Sequence, residues 1–203
     1  MDAQNKKTNS TSACKNCYRP KSQCICGLVI PLETQTQVLI LQHPQEKLKL
    51  LNSAMLAHLT LQNSILKIGL SWPNLKKASN NNSAIPSDWA VLYLKNNNEL
   101  PQKINFFTRR EEFQVNPPSL KGIVILDGSW KQAHALWWRN PWLSRLHRIA
   151  LNLSIGSQRN QAKTSGLSTI ESLAYCLEHL EANPDIKNYL LEKYTDLIIK
   201  PNT

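Results

Sequence analysis

Four consecutive apolar residues, Ile123-Val124-Ile125-Leu126, lead straight into Asp127-Gly128-Ser129-Trp130. An unbroken apolar run of this length fits a strand covered on both faces, as in a parallel sheet with helices on either side. In open sheets of that type, ligands bind outside the carboxyl ends of the strands. An acid, a glycine and a hydroxyl therefore fall where a binding cleft is expected. Asp127 and Ser129 are the first candidate site residues, with Trp130 beside them as a packing residue or an aromatic lid. Helix capping is the plainer role, because Asp127 or Ser129 suits the N-cap of a helix starting at Trp130. The two roles are compatible.

The rest of the chain fits the same plan. "TQVLILQHP" gives a strand at 37–41, ended by Pro44. Leu48, Leu51, Met55 and Leu59 have helical spacing and predict a helix from Gln45 to Gln62. "SILKIGLSWP" and "AVLYL" read as short strands, with the polar stretch between them as a loop. A helix over 130–138 is stopped by Pro141, and a strand follows at 148–153. Ser168 and Glu171 have capping-box spacing ahead of a helix that runs to Glu181. Pro184 starts a last helix, with Tyr189, Leu190, Tyr194, Leu197 and Ile198 as packing positions. Alternating strands and helices predict an α/β fold with a mainly parallel sheet. No G-x-G-x-x-G and no Walker loop is present, so the usual dinucleotide and triphosphate cradles lack support.

Four of the five cysteines lie in one short stretch, Cys14, Cys17, Cys24 and Cys26. In a reducing compartment this pattern points to four thiolates around a structural zinc ion, a closed shell with no open position for catalysis. The chain is expected to divide into a disordered tail at 1–13, a zinc knuckle at 14–27 and a catalytic domain at 28–203. Cys176 stands alone in an apolar helical pattern and reads as a core residue. No apolar run approaches the roughly 18 residues that span a bilayer, and the polar N-terminus lacks a signal-peptide core, so a cytoplasmic protein without a membrane partner is expected.

Charge narrows the partner. The chain of 203 residues carries a formal net charge of +10. The excess is concentrated between residues 101 and 163, which hold ten Lys/Arg and three Asp/Glu. A polyanion such as RNA is the natural partner for such a surface. Arg139, Arg145 and Arg148 lie there beside Trp137, Trp138 and Trp142, a grouping suited to stacking on exposed bases or to a protein interface. Arg159 and Lys163 lie among small residues just before the helix capped by Ser168, where an anionic group would be favoured. Arg19 and Lys21 sit between the two halves of the knuckle. His43 ends the first strand on the side of Asp127 if the two strands are parallel, although a lone histidine is more often structural.

Taken in order, "CKNCYRPKSQCIC", "LQHPQE", "ILDGSWKQAHAL" and "GLSTIESLAYCLEHLE" resemble the sequence blocks of the DTW-domain family, named for its D-x-T-W motif. The motif here is Asp127-Gly128-Ser129-Trp130, so Ser129 keeps the hydroxyl of the usual threonine and loses its methyl group. The loop "SIGSQRNQAKTSG" also departs from the aromatic S-x-Y-x-x-R pattern, with Gln158 near the aromatic position and Arg159 at the basic one.

The resemblance implies a fold related to the SPOUT methyltransferases, with a C-terminal knot and S-adenosylmethionine bound at the carboxyl edge of the sheet. It implies a tRNA substrate and transfer of the 3-amino-3-carboxypropyl group to N3 of a uridine, at position 47 of the variable loop, releasing methylthioadenosine. Carried onto this chain, it places the donor against Leu94, Leu126, Asp127, Ser129 and Ala133, and against Leu167, Ser168, Thr169 and Glu171. Asp127, Ser129 and Trp130 would form the catalytic group. Arg19, Lys21, His43, Arg139, Arg145, Arg159 and Lys163 would meet RNA. Monomer and homodimer both remain open. Two rival classes share part of this pattern. One is a SPOUT-type RNA methyltransferase that presents the methyl carbon instead. The other is a non-enzymatic, zinc-dependent RNA-binding module, which accounts for the charge and the knuckle but not for the acid at the strand end.

Overall fold

The computed structural model describes residues 13–92, 103–115, 119–151 and 166–199. In chain order the elements are β1 (Gln37–Gln42), α1 (Ser53–Thr60), β2 (Ser64–Ile68), α2 (Leu75–Ala78), β3 (Trp89–Leu92), β4 (Ile104–Phe107), β5 (Phe113–Gln114), β6 (Gly122–Asp127), α3 (Trp130–Arg139), β7 (His147–Leu151), α4 (Thr169–Glu181) and α5 (Pro184–Ile199). Short 3-10 turns precede β1 and follow α3. The strands form one sheet in the order β2-β1-β6-β3-β7-β4-β5. Its first five strands are parallel, and β4 and β5 close one side in antiparallel fashion.

Side chains on successive strand residues point to opposite faces, and this alternation sorts the sheet into two cores. Val38, Ile40, Ile123, Ile125, Ala90 and Leu92 face a cluster filled by α1, α4 and α5. Leu39, Leu41, Val124, Trp89 and Val91 face a second cluster with Leu75 and Ala78 of α2 and with Trp142, Leu143 and Leu146 beyond α3. Gly122 opens β6 because the Trp89 ring lies against it; a Cβ there would come within 2.6 Å of the ring. The four-cysteine segment packs onto the sheet, with Cys17 and Ile25 in the same cluster as Val38 and Ile40.

The mainly parallel α/β sheet is as expected, with three differences. The helix expected over 45–62 is shorter. Pro44–Glu46 form a 3-10 turn, and α1 starts only after Asn52, whose side chain accepts from the Met55 N–H and sets the helix start. Leu48, counted as a packing position, is exposed. The stretch read as a polar loop after β2 contains α2, capped by Asn74. The antiparallel pair β4 and β5 had no counterpart in the sequence pattern. Ile104 and Phe106 of β4 reach the first core around a buried Asn105. The expected knot depends on the path from β7 to α4, and residues 152–165 lie outside the described residues, as does the expected tail at 1–12. Among the described residues no helix is long and apolar enough to cross a membrane.

Candidate active site

The carboxyl ends of β1 and β6, where the cleft is expected, lie side by side on parallel strands with Gln42 in register with Asp127. Asp127 is 8% exposed and Gln42 is fully buried. Gln42 Nε2 donates to Asp127 Oδ2 at 2.9 Å and to Asn52 Oδ1 at 2.9 Å. Asn52 Nδ2 in turn donates to the carbonyls of Glu46 and Lys47. On its other side, Asp127 Oδ1 accepts from the Thr169 hydroxyl at the start of α4. One carboxylate thus ties together β1, the start of α1, β6 and the start of α4. Buried polar groups are costly unless paired, so this chain of hydrogen bonds holds the edge in one arrangement.

Two helices begin at this edge, each with a reciprocal cap. Ser129 caps α3: the Gln132 N–H donates to Ser129 Oγ and the Ser129 N–H donates to Gln132 Oε1 at 2.6 Å. Ser168 caps α4 in the same way, its N–H donating to Glu171 Oε2 at 2.6 Å. Ser129, Ser168 and Glu171 therefore have capping roles, and Glu171 is buried in its role. Gly128 lets Gln132 fold back, because a Cβ at 128 would lie 2.8 Å from Gln132 Cβ. Gly128→Ala should displace Gln132 and loosen the cap, costing about 1–2 kcal/mol, or a fall in Tm of about 2–8 °C for a chain of this size. An unchanged Tm by calorimetry would mean that Gln132 turns aside without cost.

The remaining expected residues divide by location. Leu126, Ala133, Leu167 and Thr169 are half-buried around the same edge. Trp130 is 55% exposed beside it. His43 follows β1; its backbone N–H donates to the Asp127 carbonyl, and its Nδ1 accepts from the Gln45 N–H at 3.3 Å. Arg139 and Arg145 are exposed at the far end of α3 and beyond it. Lys21 is exposed, whereas Arg19 is 7% exposed, so Lys21 is the more reachable cation of that pair. Leu94, Arg159 and Lys163 lie outside the described residues. Of the three tryptophans grouped with the arginines, Trp142 is buried, Trp137 half-buried and Trp138 exposed.

The four N-terminal cysteines converge as expected. All four Sγ atoms lie within 4.8 Å of one another, with Cys14 and Cys26 at 3.7 Å and Cys17 and Cys24 at 3.8 Å. A tetrahedral zinc ion with Zn–S bonds of about 2.3 Å requires sulfur–sulfur edges of about 3.8 Å. The donor set and its spacing therefore fit zinc, and all the cysteines are free thiols. Hydrogen bonds from the backbone at Cys17 and Asn16 lower the Cys14 thiol to about 6, while burial pushes Cys26 up. Cys176 is buried in α4 and its thiol is pushed up to about 12 by that burial, as suits an inert core residue.

A family model described as the DTW domain matches residues 11–200. The chain belongs to the DTW-domain family. It is 28% identical over 190 residues to tRNA-uridine aminocarboxypropyltransferase 2 of Drosophila melanogaster, a match covering 90% of this chain and 72% of that protein. It is 31% identical over 186 residues to the protein of the same name from Macaca fascicularis, covering 88% of this chain and 59% of that one. A third relative, tRNA-uridine aminocarboxypropyltransferase A of Arabidopsis thaliana, is 27% identical over 130 residues, covering 59% of this chain and 48% of that protein. No solved structure matches the chain. In this DTW domain the name motif supplies the buried acid, the glycine that admits Gln132, the cap of α3 and an exposed indole.

Sequence reasoning missed Gln42 and Asn52, the two amides behind the DTW acid. The one signal was a glutamine directly after the apolar run Val38-Leu39-Ile40-Leu41 and before the histidine that drew attention instead.

Proposed function

We propose that this protein is a tRNA-uridine aminocarboxypropyltransferase. It transfers the 3-amino-3-carboxypropyl group of S-adenosylmethionine to N3 of a uridine, at position 47 of the tRNA variable loop, and releases S-methyl-5′-thioadenosine. The observation that carries the reading is Asp127: the family's motif acid stands buried at the carboxyl edge of the sheet, anchored from two sides, in a chain whose relatives bear that activity in their names.

In the transfer, the N3–H proton passes to solvent water and the nitrogen lone pair forms a bond to the γ-carbon of the methionine arm. The C–S bond breaks and its electron pair goes to sulfur, which changes from a cation to a neutral thioether. Both oxygens of Asp127 accept hydrogen bonds from within the fold. A fixed carboxylate of this kind suits orientation of a cationic donor at the edge more than movement of a proton. Ser129 and Ser168 hold the starts of α3 and α4, where backbone N–H groups face the same edge. Cys14, Cys17, Cys24 and Cys26 would hold zinc as a structural ion, and the basic surface would meet the tRNA backbone.

The test uses two forms of S-adenosylmethionine, one labelled in the methyl group and one in the carboxypropyl chain. Each is incubated with the protein and unmodified tRNA. Carboxypropyl label in the tRNA is the expected result, and digestion then locates the uridine. Methyl label alone would make the protein a methyltransferase. Transfer of neither label, with tRNA still bound, would leave a zinc-dependent RNA-binding module as the better account.

A further inference from the structure

Helix α3 carries three aromatic side chains at four-residue spacing, Trp130, His134 and Trp138. Residues so spaced lie along one side of a helix, about 6 Å apart. All three are exposed, Trp138 to 68%. The other tryptophans are turned inward: Trp89 and Trp142 are buried, and Trp72 and Trp137 are half-buried. Trp138 Nε1 donates to His134 Nε2 at 3.0 Å, with the rings edge to face. The indole's only donor is thus used within the pair. What Trp138 offers to a partner is a flat apolar face without directional demand.

The ladder lies in a basic stretch of the chain. Lys131, Arg139 and Arg145 are exposed around it, and among the described residues none of them has an ion pair. No Asp or Glu occurs between residues 128 and 151. A second copy of the chain is a poor occupant, because a two-fold contact would set these cations against each other, and Glu111 close by is already engaged by Arg148, which lies over Trp137. A duplex is also a poor one, since it hides its base faces and presents phosphates and 2′-hydroxyls instead. Aromatic faces interleaved with unpaired cations match single-stranded RNA, whose bases stack while its phosphates pair.

We propose that this face of α3 binds an unpaired stretch of the tRNA beside the target uridine, with Trp138, braced by His134, stacking on a base and Lys131, Arg139 and Arg145 meeting phosphates. The proposal rests on the function proposed above and adds how the substrate is held. The ladder begins at Trp130, three residues beyond Asp127, and runs about 12 Å away from the candidate active site.

The test measures binding of unmodified tRNA by the full chain over a salt series, with donor affinity and sedimentation recorded in parallel. Trp138→Ala should weaken tRNA binding about tenfold, the loss of one stacked base, and leave the salt slope and donor affinity unchanged. Trp138→Phe should recover most of the loss. Arg139→Ala should weaken binding and reduce the salt slope by about one. Wild-type tRNA affinity in Trp138→Ala would overturn the proposal. A change in sedimentation without loss of tRNA affinity would also overturn it, in favour of a contact between copies. In either case, wild-type transfer of the carboxypropyl label would keep the proposed function. Failure of the wild-type chain to bind tRNA at all would overturn both.

Discussion

Asp127→Asn is expected to keep the fold and lower transferase activity by about a hundredfold or more, the scale of losing a preorganised electrostatic group in an active site. The substitution is close to isosteric. The amide oxygen it introduces can accept from Gln42 Nε2, and the amide nitrogen can donate to the Thr169 hydroxyl, which accepts as readily as it donates. The hydrogen bonds that tie β1, β6 and α4 together therefore survive, and Tm should move little. What disappears is the negative charge at the edge where the cationic donor is proposed to lie. Asp127→Ala makes the contrast. It leaves a donor of the fully buried Gln42 without its partner, at about 1–3 kcal/mol, so it should lower both activity and Tm. Calorimetry on the two variants beside the labelled-donor assay separates charge from anchoring. Near wild-type turnover in Asp127→Asn would remove the carboxylate's charge from the mechanism.

That contrast also marks which parts of the molecule were legible in the sequence. β6 was plain because its apolar run needs only itself to be recognised, and both faces of the strand are covered. The cap of α4 was plain because Ser168 and Glu171 interact over three residues. The partners of Asp127 were not legible, because Gln42 lies 85 residues away and Thr169 lies 42 residues away. The first pairing exists only through the register of β1 on β6, which no local period encodes. The length of α1 was overestimated for a related reason. Leu48 continues the helical spacing, but no element covers it, and Asn52 cuts the helix with a cap. β4 was missed because its two core residues, Ile104 and Phe106, flank an asparagine. A strand that short is defined by its neighbour β7 more than by its own pattern.

The cysteine cluster gives the other large effect. Stripping the metal is expected to destabilise the whole chain, not the knuckle alone. Cys17 and Ile25 are 2% and 3% exposed, and they pack into the core shared by β1, β6 and α4. Without a metal, four sulfurs within 4.8 Å of one another must either hold protons or repel, and the segment has too little apolar surface to hold its shape alone. Cys17→Ser should therefore cost about 3–5 kcal/mol, as loss of a partner from a buried charged cluster does, or about 6–20 °C in Tm. Cys24 is exposed, so water can take the place of its sulfur, and Cys24→Ser should cost less. Elemental analysis should find about one zinc per wild-type chain, and calorimetry with and without a chelator should show the same ranking as the variants. Metal removal that leaves Tm unchanged would mean that the four thiols pack into the core without needing an ion.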